Sequence, residues 1–134
     1  MSQENIEIVR RSVELFRDGR IEAWVEMIDP HLEWDISAHP LPDFPNTGSG
    51  REAFAGRMGT YVSGWNDYES SIKELIDGGD DVVVIIHERA RLRGSETVLE
   101  RDLPQVITIR NGRGVRFRVF KTRAEALEAA GLRD

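Results

Sequence analysis

Residues 87–102 read HERARLRGSETVLERD, and their charges decide how the chain pairs with itself. Gly94-Ser95 in the middle is a two-residue hairpin signal. With the turn there, Arg93 faces Glu96, Arg89 faces Glu100 and His87 faces Asp102 on one side of the ladder. On the other side Leu92 faces Thr97, Ala90 faces Leu99, Glu88 faces Arg101, Ile86 faces Leu103 and Val84 faces Gln105. Every acidic group meets a basic or titratable partner, whereas like charges directly opposite would destabilise the pair. Slipping the register by one residue would carry the arginines onto the core face.

The next hairpin is read the same way. A three-residue loop at Asn111-Gly112-Arg113 sets Ile109 against Val115, Ile107 against Phe117 and Gln105 against Val119. It also sets Thr108 and Val106 against Arg116 and Arg118 on the opposite side. A plain two-residue Asn-Gly turn would put Arg116 beside Ile107, so the longer loop is expected. One face is then apolar: Val82, Val84, Ile86, Ala90, Leu92, Leu99, Leu103, Ile107, Ile109, Phe117 and Val119. Three polar residues interrupt it: Glu88, Arg101 and Gln105. The other face carries Arg89, Arg91, Arg93, Glu96, Glu100, Asp102, Arg116 and Arg118.

Outward from these strands, residues 3–17 show helical spacing in Ile6, Val9, Val13 and Phe16, closed by Asp18-Gly19. A second helix over about 20–28 carries Ile21, Trp24, Val25 and Ile28, and Pro30 stops it. LEWDI at 32–36 alternates like a strand. SGRE at 49–52 reads as a capping box for a third helix running to about 64, with Phe54, Met58, Tyr61 and Trp65 on one face. Strands follow at about 67–76, 81–93, 96–110 and 114–120. TRAE at 122–125 opens a last helix that ends at Gly131. The order α-α-β-α-β-β-β-β-α implies an antiparallel sheet with helices packed on it, an α+β class.

Composition excludes several functions. The chain has 134 residues and a net charge of −6, with 40% apolar and 31% charged residues. That suits one soluble domain spanning 1–134 and argues against general affinity for nucleic acid or anionic membranes. The absence of cysteine removes disulfides, a thiolate nucleophile and thiolate metal sites. Three scattered histidines give no metal-ligand spacing. MSQENIEIVRR has charges where a signal peptide needs an apolar run, and VVVII at 82–86 is far short of a membrane span. A cytoplasmic location is expected. RNGRGVRFRVFKTR holds six basic residues, but Arg116 and Arg118 have acidic neighbours across the sheet, which fits a solvated or interface face.

Each candidate site residue has a bland reading beside the functional one. Glu88 and Arg101 are either a structural ion pair or site groups; a carboxylate beside an arginine stays ionised and can serve as acceptor or base. Gln105 is either a satisfied core amide or a donor that orients a ligand carbonyl. Asp35 alternates away from Leu32 and Trp34 unless the strand bulges. His39 precedes Pro40 in the stretch HLEWDISAHPLPDFPN (31–46), which reads as the lip of a pocket. Trp34, Met58, Tyr61 and Trp65 suit a core as well as a ligand wall.

The chain resembles the SnoaL-like branch of the nuclear-transport-factor-2-like superfamily. The resemblance lies in the order of RDGRIEA, MIDPHLEWD, SGREAF, GDDVVV, QVITIRNGRGVRFRVF and AEALEAAGL along nearly the whole chain. It implies a cone-shaped α+β barrel, in which a curved, mostly antiparallel sheet wraps around the long third helix and leaves a pocket at the open end. Members include ketosteroid isomerases, polyketide cyclases, dehydratases and epoxide hydrolases beside binding and scaffold proteins. The enzymes typically need no cofactor: a carboxylate base works with a donor that stabilises an anion. Asp35 falls where the isomerases keep their base, Gln105 where isomerases and cyclases keep a functional acid, and Ser12 roughly where the isomerases keep a tyrosine. The resemblance implies one of two functions. One is a cofactor-free acid–base enzyme on a small apolar or polyketide-like substrate, with Asp35 or Glu88 as base and Arg101 beside it. The other is a ligand-binding or dimerisation module. Trp34, His39, Met58, Tyr61 and Gln105 are the expected ligand contacts. No metal or cofactor is expected, and a homodimer through the open sheet face is.

Overall fold

The computed structural model describes residues 2–40 and 44–132. Four helices, α1 (Ser2–Arg17), α2 (Ile21–Glu26), α3 (Arg51–Ser63) and α4 (Arg123–Ala129), pack on one six-stranded sheet. Its strands are β1 (Ile28–Asp35), β2 (Thr47–Ser49), β3 (Trp65–Gly78), β4 (Asp81–Leu92), β5 (Val98–Arg110) and β6 (Arg113–Val119), in the order β2-β1-β6-β5-β4-β3. All neighbours are antiparallel except β1 and β6. The sheet is curved and unclosed, the cone that the family resemblance implies. No described helix is long and apolar enough to cross a membrane.

The charge-derived register holds along β4 and β5: Glu88 pairs with Arg101, Arg89 with Glu100, His87 with Asp102 and Val84 with Gln105. The turn is looser than two residues. Ladder pairing ends at Arg91 and Val98, and Ser95 Oγ accepts from the Thr97 N–H to shape the loop between them. Arg93 donates to the Ser63 carbonyl at 2.6 Å instead of pairing Glu96. At the next hairpin the three-residue loop is replaced by a two-residue Asn111-Gly112 turn, both at positive φ (52° and 78°). The ladder shifts by one between Thr108 and Ile109, opposite Val115. That bulge lets the tight turn coexist with Ile107 against Phe117 and Thr108 against Arg116.

The remaining differences have local causes. Ser49 is no helix cap: it lies in β2 opposite Glu33, and Gly50 precedes the helix without a side-chain cap. Thr122 does cap α4, accepting from the Glu125 N–H at 3.1 Å. Trp65 begins β3 rather than ending α3, and its ring meets Tyr61 edge-on at 6.2 Å. Pro30 lies inside β1, where the pairing with β6 shifts between Ile28 and Glu33, since proline has no N–H for a ladder. Strand β2 went unread because three residues carry no periodicity. Gly48 is fixed there by Trp34, whose indole occupies the space a Cβ would need.

Three apolar clusters hold the layers. Trp24, Leu32, Trp34, Phe44 and Phe54 join α2, β1 and α3. Ile6 and Val9 of α1 pack on Val82, Val84, Ile86, Leu103 and Ile109 of the inner sheet face. The outer face is not wholly open: Val83, Ile85 and Val106 alternate onto it, and α4 covers them with Ala126 and Leu127. Residues 41–43 of the stretch 31–46 and the side chain of Leu92 lie outside the described residues.

Candidate functional site

Between the helices and the inner sheet face lies a cavity of about 130 Å³. Its wall is mostly apolar. Val9, Val13 and Phe16 come from α1, Trp24 from α2, Phe54 and Met58 from α3, and Ile86, Leu103, Ile107 and Phe117 from the sheet. The polar lining is short: Ser12, Tyr61, Tyr68, Ser70, Glu88 and Gln105. The inward alternation of β4 and β5 puts Glu88 and Gln105 on this wall, and α3 brings Tyr61 over the sheet.

Glu88 is 0% exposed and is the buried charged residue of the core. Isolated, such a carboxylate would cost several kcal/mol of desolvation, on the order of the penalty known for single buried ions. Here it accepts three hydrogen bonds. Tyr61 Oη and Arg101 Nε donate to Oε1 at 2.8 and 2.7 Å, and Tyr68 Oη donates to Oε2 at 2.6 Å. Arg101 Nη2 also donates to Tyr61 Oη at 3.1 Å. Burial and the neighbouring Glu88 charge push the Tyr61 hydroxyl up to about 12, and the same causes push Tyr68 higher still. Both tyrosines are therefore neutral donors. Burial is the largest single influence and works against the Arg101 charge, but its bond to Glu88, the Glu88 charge and its contacts with Tyr61 together outweigh that and hold its pKa above the ordinary value.

The expected site residues separate into three groups. Glu88, Tyr61, Met58 and Gln105 line the cavity. Arg101 does not line it; it backs Glu88 from a half-exposed position, its side chain 29% accessible. Trp34, His39 and Asp35 stand apart. Trp34 is core, packed on Phe44 and Phe54, with Nε1 donating to the Pro45 carbonyl at 3.0 Å. His39 is half-buried, with Nε2 unpartnered among the described residues. Burial first, then the Arg101 charge, lower its pKa, so it is neutral near pH 7. Asp35 ends β1 beside Arg118, and its carboxylate accepts from the Ser37 N–H at 2.9 Å. The Ser37 side chain first, then that backbone bond, with help from Arg116 and Arg118, lower its pKa. The strand does not bulge at Asp35, so it faces away from Leu32 and Trp34 as strict alternation dictates.

Tyr68 was missed. Pairing β3 with β4 would have found it: Ser70 lies opposite Glu88, and period-2 alternation puts Tyr68 and Ser70 on the same face. Asp67, at φ 52°, sits where the ladder shifts between Asn66 and Glu69, and that irregularity hides the pairing in the sequence.

Among solved structures, an NTF2-like protein of unknown function from Burkholderia pseudomallei superposes with a TM-score of 0.75 at 21% identity, covering 96% of this chain and 97% of that one. Bal32a, from a soil-derived mobile gene cassette, gives 0.73 at 24% identity over 88% of each chain. TerC, crystallised with polyporic acid, gives 0.72 at 23% identity over 96% and 98%. At these identities the likeness establishes the fold alone. No curated protein matches the chain. The family model described as "SnoaL-like domain" matches residues 9–121, and the chain belongs to that family.

Proposed function

We propose that the chain is a small-molecule pocket protein of the cofactor-free acid–base kind, with Glu88 as proton acceptor for a small apolar or polyketide-like substrate. The carrying observation is the fully buried Glu88 carboxylate on the wall of an otherwise apolar cavity. A few placed polar groups in an apolar pocket are the usual composition of a ligand site. A carboxylate offers about four acceptor positions, and three are taken, which leaves one on Oε2 for a hydroxyl or a water. Arg101 holds the carboxylate in place from behind. Gln105 orients a ligand carbonyl, and Met58 and Tyr61 form walls. Asp35, away from the lining, leaves the base role to Glu88.

A second reading is a binding module without turnover. The three donors on Glu88 favour it, because they already occupy three of the carboxylate's roughly four acceptor positions. The two readings separate in one experiment. Monocyclic epoxides and β-hydroxy ketones are incubated with the protein and with Glu88→Gln, and gain or loss of one water is followed by mass spectrometry. Turnover by wild type that is lost in Glu88→Gln supports the enzyme. Binding at the Met58 methyl resonance without turnover supports the module.

The outer face supports a homodimer as part of the same proposal. Helix α4 covers Val83, Ile85 and Val106, while Arg89, Arg116, Glu100 and Asp102 lie outside that cluster. Association through such a surface weakens with salt, because exposed pairs are screened. Sedimentation of a monomer at low salt and tens of micromolar protein contradicts it.

A further inference from the structure

We infer that the Glu88 end of the cavity selects ligands that bring a hydrogen-bond donor, a neutral hydroxyl or N–H, and disfavours ketones, ethers and carboxylates there. The inference rests on the reading of this cavity as the ligand site, and it adds what that site demands of the ligand. It follows from counting protons. A tyrosine hydroxyl has one proton to give. Tyr61 and Tyr68 both give theirs to Glu88. Arg101 does not line the cavity; its Nε is spent on Glu88 and its Nη2 on Tyr61.

What remains toward the cavity is acceptor capacity: the last position on Glu88 Oε2, and the lone pairs of Tyr68 Oη, which accepts from no described group. Ser70, opposite Glu88, is a hydroxyl that turns either way. A ligand carbonyl placed here would meet lone pairs, so these tyrosines do not form an anion-stabilising donor pair while Glu88 holds their protons. Side-chain amide donors lie elsewhere. Gln105 is four residues from Arg101 along β5, about 13 Å of strand, and its amide makes no side-chain bond among the described residues. The cavity thus offers acceptors at one end and an amide partway along.

Ring-sized probes suit the space, since dry cavities of about 150 Å³ hold benzene. Phenol and anisole differ in one respect that matters, the hydroxyl proton. Each is titrated into the protein while the Met58 methyl resonance is followed, with cyclohexanone as a third probe. Phenol is expected to bind at least about tenfold more tightly than anisole, the scale of one hydrogen bond to a charged group. In Tyr68→Phe, Oε2 loses its internal donor, and phenol should bind several-fold more tightly than to wild type. In Glu88→Gln, an amide that can donate replaces the carboxylate, and the preference for phenol should shrink. Anisole or cyclohexanone binding wild type as tightly as phenol overturns the inference and leaves the pocket reading standing. No probe moving the Met58 resonance at millimolar concentration overturns the pocket reading, and the inference with it.

Discussion

Glu88 and His87 are neighbours in β4, and Arg101 and Asp102 are neighbours in β5, yet the two pairs build opposite surfaces. Inside, Glu88 is 0% exposed and gathers Tyr61, Tyr68 and Arg101. Outside, His87 lies 2.7 Å from Asp102 and 2.9 Å from Glu100, and Lys73 donates to Asp102 at 2.7 Å. The distances match, but the surroundings do not. The outer acids keep 38% and 54% of their side chains in water, so losing a partner there lets solvent take its place. Glu88 is cut off from bulk water, so the surface solvent that replaces a partner on the outer face does not do so here. The same one-residue alternation that makes a sheet two-faced therefore separates a network that must stay complete from one that need not.

That contrast fails if the two networks respond alike to mutation. The largest effect is expected for Glu88→Ala, which leaves the donors of Tyr61, Tyr68 and Arg101 facing a void. Urea denaturation should show a loss of about 3–5 kcal/mol, the range for breaking a buried ion pair. Tyr68→Phe should cost about 1.5–3 kcal/mol, one hydrogen bond to a charged group. Asp102→Asn on the outer face should leave the denaturation midpoint nearly unchanged, and high salt should erase any difference. A midpoint shift for Asp102→Asn as large as that for Tyr68→Phe would break the comparison.

The smallest effect is a pH dependence. Hydrogen bonds to Asp102 and then Glu100 raise the His87 pKa above its ordinary 6.5. A raised pKa means the contribution is complete below about pH 6.5 and fades as pH rises through the higher folded value. The melting temperature should therefore fall slightly above neutral pH in wild type, and His87→Asn should flatten that slope. A slope of opposite sign would show that His87 is not held as an imidazolium.

How far the sequence revealed this depends on which interaction fixed each element. Opposite charges sit across from one another only in the correct register, so Glu88 against Arg101 was readable from HERARLRGSETVLERD. The Asn111-Gly112 turn was misjudged because a bulge at the Val115 position changes the count between strands without changing the composition. Tyr68 was hidden by the irregular ladder beside Asp67, and with it one of the three donors on Glu88. For Asp35, the local alternation outweighed the family position: residue 35 faces away from Leu32 and Trp34 whatever role that position has elsewhere. Trp34 suits a core as well as a ligand wall by sequence, and its packing against Phe44, Phe54 and Gly48 makes it core.

The chain has two tyrosines, Tyr61 and Tyr68, so one spectrum reads both hydroxyls that hold Glu88. The direct test is an absorbance titration near 295 nm from pH 8 to 12.5, with circular dichroism recorded at each point. Both groups have raised pKa values, so their contribution to stability is complete below pH 10, the ordinary tyrosine value, and is lost as pH rises through the folded values. The account predicts almost no phenolate at pH 10.5, where free tyrosine is more than half ionised. Tyr61 should be half ionised near pH 12, and Tyr68 should ionise later still. One full phenolate appearing near pH 10 in folded protein would mean that a tyrosine proton is not committed to Glu88, and the donor-complete network at the end of the cavity would be wrong.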